Sequence, residues 1–296
     1  MKKLNKKSIL FNISLVVVTA IVLTTALVAL DQLNPFKEGI GANSFDIIKT
    51  YQEAESRLFF IDQSAKLSSQ QIIYDLAANG GFEAESDCGR YKNYNVWSTT
   101  DPSIYCYPDN YKELFKKDLN QNLRSYISLL PSGKFTKFSP RFSIYLYNLT
   151  PYINYEISFV NNSIIGIPNK DIQLNIYRGE EDLSKPIIGK YIIKPSFNID
   201  FGYNINEYEI IKEQAIDLIR RCQSSQSLSD LRNCINQSLH PLWVLGPCDG
   251  TVGDEQERIF RFCVNSNAKA LVRNPGTGKI DFEAVTYRFA LYFPKP

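Results

Sequence analysis

Three carboxylates stand close together in Cys248-Asp249-Gly250-Thr251-Val252-Gly253-Asp254-Glu255, inside a glycine-containing stretch. Oxygen donors of this kind suit calcium in an extracellular setting. The spacing is not that of an EF-hand, and a disulfide-clipped turn has the same composition, so no metal ligand is assigned. Gly276-Thr277-Gly278-Lys279 echoes a phosphate-binding loop, but that loop requires Ser or Thr after the lysine, where Ile280 stands. Pro275-Gly276 between strand-like segments indicates a hairpin turn instead. His240 is the only histidine. Any Ser-His or Cys-His pair would have to use it as the base. No G-x-S-x-G elbow is present, and His240 before Pro241 reads as a structural or solvated residue. Paired-carboxylate chemistry has no local motif to nominate it. No catalytic residue, metal ligand or cofactor-binding residue is therefore expected.

Six cysteines carry the strongest chemical signal: Cys88, Cys106, Cys222, Cys234, Cys248 and Cys263. An even set in one region reads as three disulfides formed in an oxidising compartment. Spacing favours neighbours: Cys88–Cys106, Cys222–Cys234 and Cys248–Cys263. Each bond closes a short loop, worth about 3 kcal/mol in the chain-entropy account. Zinc is the alternative, but no C-x-x-C occurs and His240 is not at ligand spacing. Three sequons, at Asn148, Asn161 and Asn236, permit glycosylation outside a cell that has the machinery. Arg220-Arg221 ends a helical pattern, where positive charge complements the helix dipole. Tyr91, Tyr94, Tyr145 and Tyr147 offer either a protein- or glycan-binding surface or ordinary strand residues.

The elements that must position these residues follow from periodicity. Ile9–Leu30 is uncharged, with Lys2, Lys3, Lys6 and Lys7 before it and Asp31 after it. As a helix it spans about 33 Å, enough for a hydrocarbon core of about 30 Å. The positive-inside rule puts the N-terminus in the cytoplasm and the rest outside. A cleaved signal peptide is the competing explanation, although the run is long for one and Ala26-Leu27-Val28-Ala29-Leu30 fits a cleavage site poorly. No second apolar run of this length follows, so the expectation is single-pass.

Pro35, Gly39 and Gly41 mark residues 31–42 as a linker. Asn43 or Ser44 can then cap a long helix whose apolar stripe (Phe45, Ile48, Tyr51, Leu58, Ile61, Ala65, Ile72, Leu76) ends at Asn79-Gly80-Gly81. Ser68-Ser69 suggests a break inside it. The stripe packs on the chain's own sheet or serves as a stalk or partner-binding helix. Residues 82–108 read as irregular. A second amphipathic helix covers 109–130, with Tyr111, Phe115, Leu119, Leu123, Ile127 and Leu130 on one face. Period-two alternation follows at 142–147 and 153–159, with weaker strand signals at 172–177, 187–193 and 197–201. Helical spacing returns at 205–222 and 228–238, the latter capped by Ser227. Strands are expected at Ile259–Val264 and from Val285 to Phe293. This order predicts an α+β ectodomain with a long amphipathic helix and an antiparallel sheet after an N-terminal transmembrane helix. The expected organisation is residues 1–8 as a cytoplasmic basic head, 9–30 as transmembrane helix, 31–42 as linker and 43–296 as a disulfide-containing extracytoplasmic domain.

The layout of residues 1–78 resembles type IV pilin-like proteins: a short basic head, an apolar helix and an amphipathic helix, followed by a disulfide-bearing sheet domain. No acidic residue lies within Ile9–Leu30, Lys7-Ser8 is a poor processing junction and Pro35–Gly41 interrupts the helix. No residue role is therefore carried over. The layout equally resembles single-pass surface proteins of archaea.

Hydrophobic residues at 44% and charged residues at 22% are the balance of a folded chain and not of a disordered one. Four of the 33 basic residues precede the apolar run, leaving 29 against 31 acidic ones. No basic field remains to hold a phosphate backbone, which disfavours nucleic acid as a partner. The expected partners are a lipid bilayer through residues 9–30 and a protein or glycan outside. The expected function is that of an anchored surface protein in binding, adhesion or assembly. A pilin-like subunit and an anchored enzyme acting on envelope polymers are the alternatives.

Overall fold

The computed structural model describes residues 22–25, 41–99, 101, 104–130, 135–139, 142–146, 153–160, 162–178, 184, 187–200, 202–248, 258–273 and 278–295. The fold is α+β with mainly antiparallel sheets. Of the apolar run Ile9–Leu30, only Val22–Thr25 falls among these residues, as a helical turn in which Thr25 Oγ1 donates to the Val22 carbonyl. The transmembrane expectation otherwise lies outside the described residues. Among the described residues no helix is long and apolar enough to cross a membrane. The chain divides into two compact units.

The first unit contains residues 1–55, 135–145 and 174–191. It holds the start of helix α1 (Gly41–Ala78) and a four-stranded sheet of order β3-β4-β7-β8. These strands are β3 (Phe135–Ser139), β4 (Phe142–Leu146), β7 (Ile172–Arg178) and β8 (Ile187–Ile193). β3 and β4 form a hairpin with Phe135 opposite Tyr145 and an irregularity between Lys137 and Ser139. Leu174, Asn175, Ile176 and Tyr177 are all buried, so β7 is covered on both faces rather than one. Tyr51 of α1 meets Tyr191 edge-on, with ring centres 6.4 Å apart.

The second unit contains residues 56–134, 146–173 and 192–296. Its larger sheet has the order β1-β2-β12-β11-β10. The strands are β1 (Arg90–Tyr91), β2 (Tyr94–Val96), β10 (Trp243–Leu245), β11 (Ile259–Arg273) and β12 (Ile280–Tyr292). β2 lies parallel to β12, with Asn95 opposite Phe289; the other pairs are antiparallel. A smaller antiparallel sheet joins β5 (Tyr155–Val160), β6 (Ser163–Pro168) and β9 (Phe197–Asp200) in that order.

Helices bury one stripe each. α2 (Tyr111–Ile127) buries Tyr111, Phe115, Leu119, Leu123 and Ile127, a strict four-residue step that keeps one face inward. α3 (Glu207–Cys222) buries Tyr208, Ile211, Ala215, Leu218, Ile219 and Cys222. α1 runs through Ser68 and Ser69 without the expected break. Ser69 Oγ donates back to the Lys66 carbonyl, the way an interior serine is accommodated in a helix. It stops where Gly80 and Gly81 adopt positive φ and Gly81 N–H donates to the Leu76 carbonyl at 2.7 Å, closing the last turn. The core centres on Trp97, which stacks on Phe289 with ring centres 3.9 Å apart, while Trp243 meets Phe289 and Phe262 edge-on.

All six cysteines are bonded, in the neighbour pairs that spacing favours: Cys88–Cys106, Cys222–Cys234 and Cys248–Cys263. The second joins α3 to the helix α4 (Leu228–Ser238). Ser227 caps α4: its Oγ accepts from Asp230 N–H at 3.0 Å and donates to Asp230 Oδ2 at 2.6 Å. Replacing Ser227 by alanine leaves that N–H and carboxylate without the hydroxyl. The expected cost is about 1 kcal/mol, read as a lower denaturant midpoint at unchanged slope. A variant equal to the parent would show that water serves this helix end as well as the serine.

Candidate functional site

The second unit carries a cleft of about 220 Å³ between α3, the segment entering β10, and the strands β11 and β12. Helical spacing brings Glu207, Ile210, Ile211 and Gln214 of α3 to one wall. Leu242, Trp243 and Val264 add apolar lining, and exposed His240 lines the cleft as well. Trp243 is held by its indole N–H, which donates to Gln214 Oε1 at 2.8 Å. Ile210 and Leu242 are 48% and 38% exposed, so the mouth of the cleft presents apolar surface to solvent.

Glu207 is the charged group of the cleft. Its Oε1 accepts from Ser266 Oγ at 3.0 Å and its Oε2 from the Tyr287 hydroxyl at 2.8 Å. The Tyr203 hydroxyl bonds to that of Tyr287. Tyr287 has one proton and gives it to Glu207, so Tyr203 is the donor in the Tyr203–Tyr287 bond. A chain of donors thus runs from the core outward and ends on a carboxylate. Burial raises the phenol pKa of Tyr203, Tyr208 and Tyr287 above its usual value, and neighbouring tyrosines and Glu207 raise those of Tyr208 and Tyr287 further. They stay protonated: Tyr203 and Tyr287 act as donors rather than nucleophiles, while the buried Tyr208 hydroxyl has no hydrogen-bond partner and takes no part in the chain. Tyr208 meets Tyr111 at a tilt and Tyr287 edge-on, at 4.5 and 4.9 Å between ring centres, linking α2, α3 and β12. Among the described residues no cation forms an ion pair with Glu207. The arrangement holds a preorganised acceptor in the wall of a largely apolar cleft, which suits it to a ligand's hydroxyl or ammonium group.

The residues singled out from sequence fall elsewhere or take structural roles. His240 is exposed, and its Nδ1 accepts weakly from Leu242 N–H at 3.5 Å. It shares the cleft with Glu207 but has no serine or cysteine partner among the described residues. Asp249–Glu255 and Gly276–Thr277 lie outside the described residues, as do Asn148, Asn161 and Tyr147. Arg273 pairs across from Ile280 in the antiparallel β11–β12 ladder. Among the described residues no cluster of three His, Cys, Asp or Glu could hold a metal. Arg221 pairs with Asp217 one turn earlier, at 2.5 Å and in solvent. Tyr94 accepts from Cys248 N–H at 3.0 Å and lies under the Arg261 guanidinium, so it braces the third disulfide. Tyr91 pairs with Tyr94 across the β1–β2 turn, with Lys92 over its ring. Asn236 is exposed on α4 and open to modification.

Glu207, Ser266 and Tyr203 were not visible as a site in the sequence. Glu207 reads there as a first-turn acid that favours the helix dipole, and nothing local ties it to residues some sixty and eighty positions later. Comparisons with protein families, with curated proteins and with solved structures give no match to this chain.

Proposed function

We propose that this chain is a single-pass, membrane-anchored extracytoplasmic protein whose disulfide-clipped α+β portion works in binding or assembly. The observation that carries this is the complete pairing of its six cysteines. Such a set forms and persists outside the reducing cytosol. The uncharged run Ile9–Leu30, with four lysines on one side and Asp31 on the other, supplies an anchor of matching direction. The cleft at Glu207 supports a binding role, since its donors and acceptor are fixed and its tyrosines are held protonated.

Thiol accounting on intact cells tests this. Denatured, unreduced protein should take up no maleimide label, and reduction should release six thiols. Protease added to intact cells should remove residues beyond the linker, and alkaline carbonate should leave the chain in the membrane fraction. Labelling of all six cysteines before reduction, together with protease protection, would overturn both compartment and direction.

A further inference from the structure

Two sheet edges in the second unit are closed by side-chain amides. Asn120 of α2 covers β5: its amide donates to the Tyr155 carbonyl at 3.0 Å and its oxygen accepts Tyr155 N–H at 2.8 Å. Gln70 and Gln71 of α1 cover the far part of β11, their oxygens accepting the N–H groups of Leu271 and Arg273 at 3.3 and 3.0 Å. Residues 271 and 273 are the alternate positions that a neighbouring strand would use. β12 has no such cover. β2 meets it only at Phe289 and Ala290, so Ile280–Thr286 pairs with β11 on one side and with nothing described on the other. In this stretch Ile280 is 54% and Phe282 68% exposed, and Asp281, Glu283 and Ala284 are exposed as well.

We propose that the free edge of β12 over Ile280–Thr286 accepts an added strand from another protein, one that alternates basic with apolar side chains. The alternation follows from the two faces of the edge. Asp281 and Glu283 share the face of Val285 and Tyr287, and neither carboxylate forms an ion pair with a described residue. Ile280, Phe282 and Ala284 lie on the other face. An incoming strand satisfies the open backbone groups, sets lysine or arginine against the two acids and lays apolar groups beside Phe282. The same acids discriminate against a second copy of this chain: antiparallel pairing about Phe282 would set Asp281 against the second copy's Glu283. Acids on an exposed edge also serve simply to keep it unpaired, and the experiment separates that role from docking.

The test uses the full-length chain in detergent with two fluorescein-labelled octapeptides, one alternating lysine with valine and one alternating glutamate with valine. The lysine peptide should bind saturably and the glutamate peptide should not. Binding should slow hydrogen exchange at every second amide within 280–286, the signature of one added strand. Exchanging both acids (Asp281→Lys with Glu283→Lys) should weaken the lysine peptide by about tenfold, the size of two reversed cross-strand charge pairs, and admit the glutamate peptide. These are exposed positions, so near-ultraviolet dichroism should be unchanged. Equal binding of both peptides, binding of neither, indifference to the charge exchange, or exchange protection outside 280–286 would each overturn the proposal. So would concentration-dependent self-association abolished by Phe282→Lys. Peptide docking does not depend on which side of a membrane the chain occupies, so its failure is distinct from failure of the topology.

Discussion

Alanine at Gly80 should lower the unfolding free energy by about 3 kcal/mol, whereas alanine at Gly202 should cost only about 1 kcal/mol. The two glycines have nearly the same φ, 65° and 63°. A Cβ pays the same left-handed penalty at both, partly offset because alanine also restricts the unfolded chain. Their surroundings differ. At Gly202 an added Cβ meets nothing within 4 Å. At Gly80 it would sit 2.7 Å from the Arg288 carbonyl oxygen and 3.3 Å from the Trp97 indole nitrogen. The carbonyl belongs to β12, which is locked between β11 and β2, and cannot retreat. The indole donates to the Gly80 carbonyl at 3.1 Å while stacking on Phe289, so displacing it disturbs the centre of the core. Denaturant titration of both variants decides the matter. Equal losses would mean that backbone strain alone sets the cost and that the contact between α1 and β12 is slack.

What the sequence made legible was whatever is encoded locally. α4 was readable to the residue because Ser227 and Asp230 form a cap that depends on four consecutive positions. α2 was readable because its apolar residues recur every fourth position while polar Glu113, Lys117, Gln121 and Ser125 stand halfway between them, where a strand would place residues on the same face. The β1–β2 hairpin was missed inside a stretch that looked irregular. Its turn places Lys92 and Asn93 at φ of 47° and 69°, and neither residue pair nor flanks carry the Asn-Gly signal such turns usually show. β6 was missed because Ser163–Pro168 contains a glycine and does not alternate. Gly166 is there so that the Phe197 ring of β9 can lie on the strand, where a Cβ would come within 2.1 Å of it. β11 was expected to end at Val264. It continues to Arg273 through an irregularity between Asn265 and Lys269 that lets polar Asn265–Asn267 pass without breaking the ladder. The Glu207 cleft was illegible for a different reason. Its hydroxyl donors come from two strands and a pre-helical turn, and a long-range meeting of this kind leaves no periodic trace.

Loss of Arg258 should be the most damaging single change, at about 4 kcal/mol for alanine, because one side chain ties together three chain segments. Arg258 is 5% exposed and forms no ion pair with a described residue. Its charge is instead shared among carbonyl oxygens. Nε donates to Phe293 at 2.7 Å, Nη2 to Pro294 at 3.0 Å and Nη1 to Ser225 at 3.0 Å. Nη2 also reaches the carbonyl of Gln223, the C-cap residue just after α3, at 3.5 Å. The guanidinium therefore sits at the negative end of the α3 dipole and also fastens the chain leaving β12. Alanine leaves the buried carbonyls of Phe293 and Pro294, and the part-buried ones of Ser225 and Gln223, without the guanidinium and opens a cavity. Lysine keeps the charge but not the planar fork, so it should recover only about half of the loss. Glycine tests the backbone. Arg258 has φ of 64°, so Arg258→Gly should be less harmful than Arg258→Ala by about 1 kcal/mol, although both delete the same contacts. The expected order of stability is arginine, lysine, glycine, alanine, measured by denaturant unfolding. Amide exchange at Phe293, whose N–H donates to the Arg258 carbonyl, should rise in the alanine variant first. Lysine matching arginine would show that charge at the helix end suffices. Alanine matching glycine would show that the positive φ stores no strain.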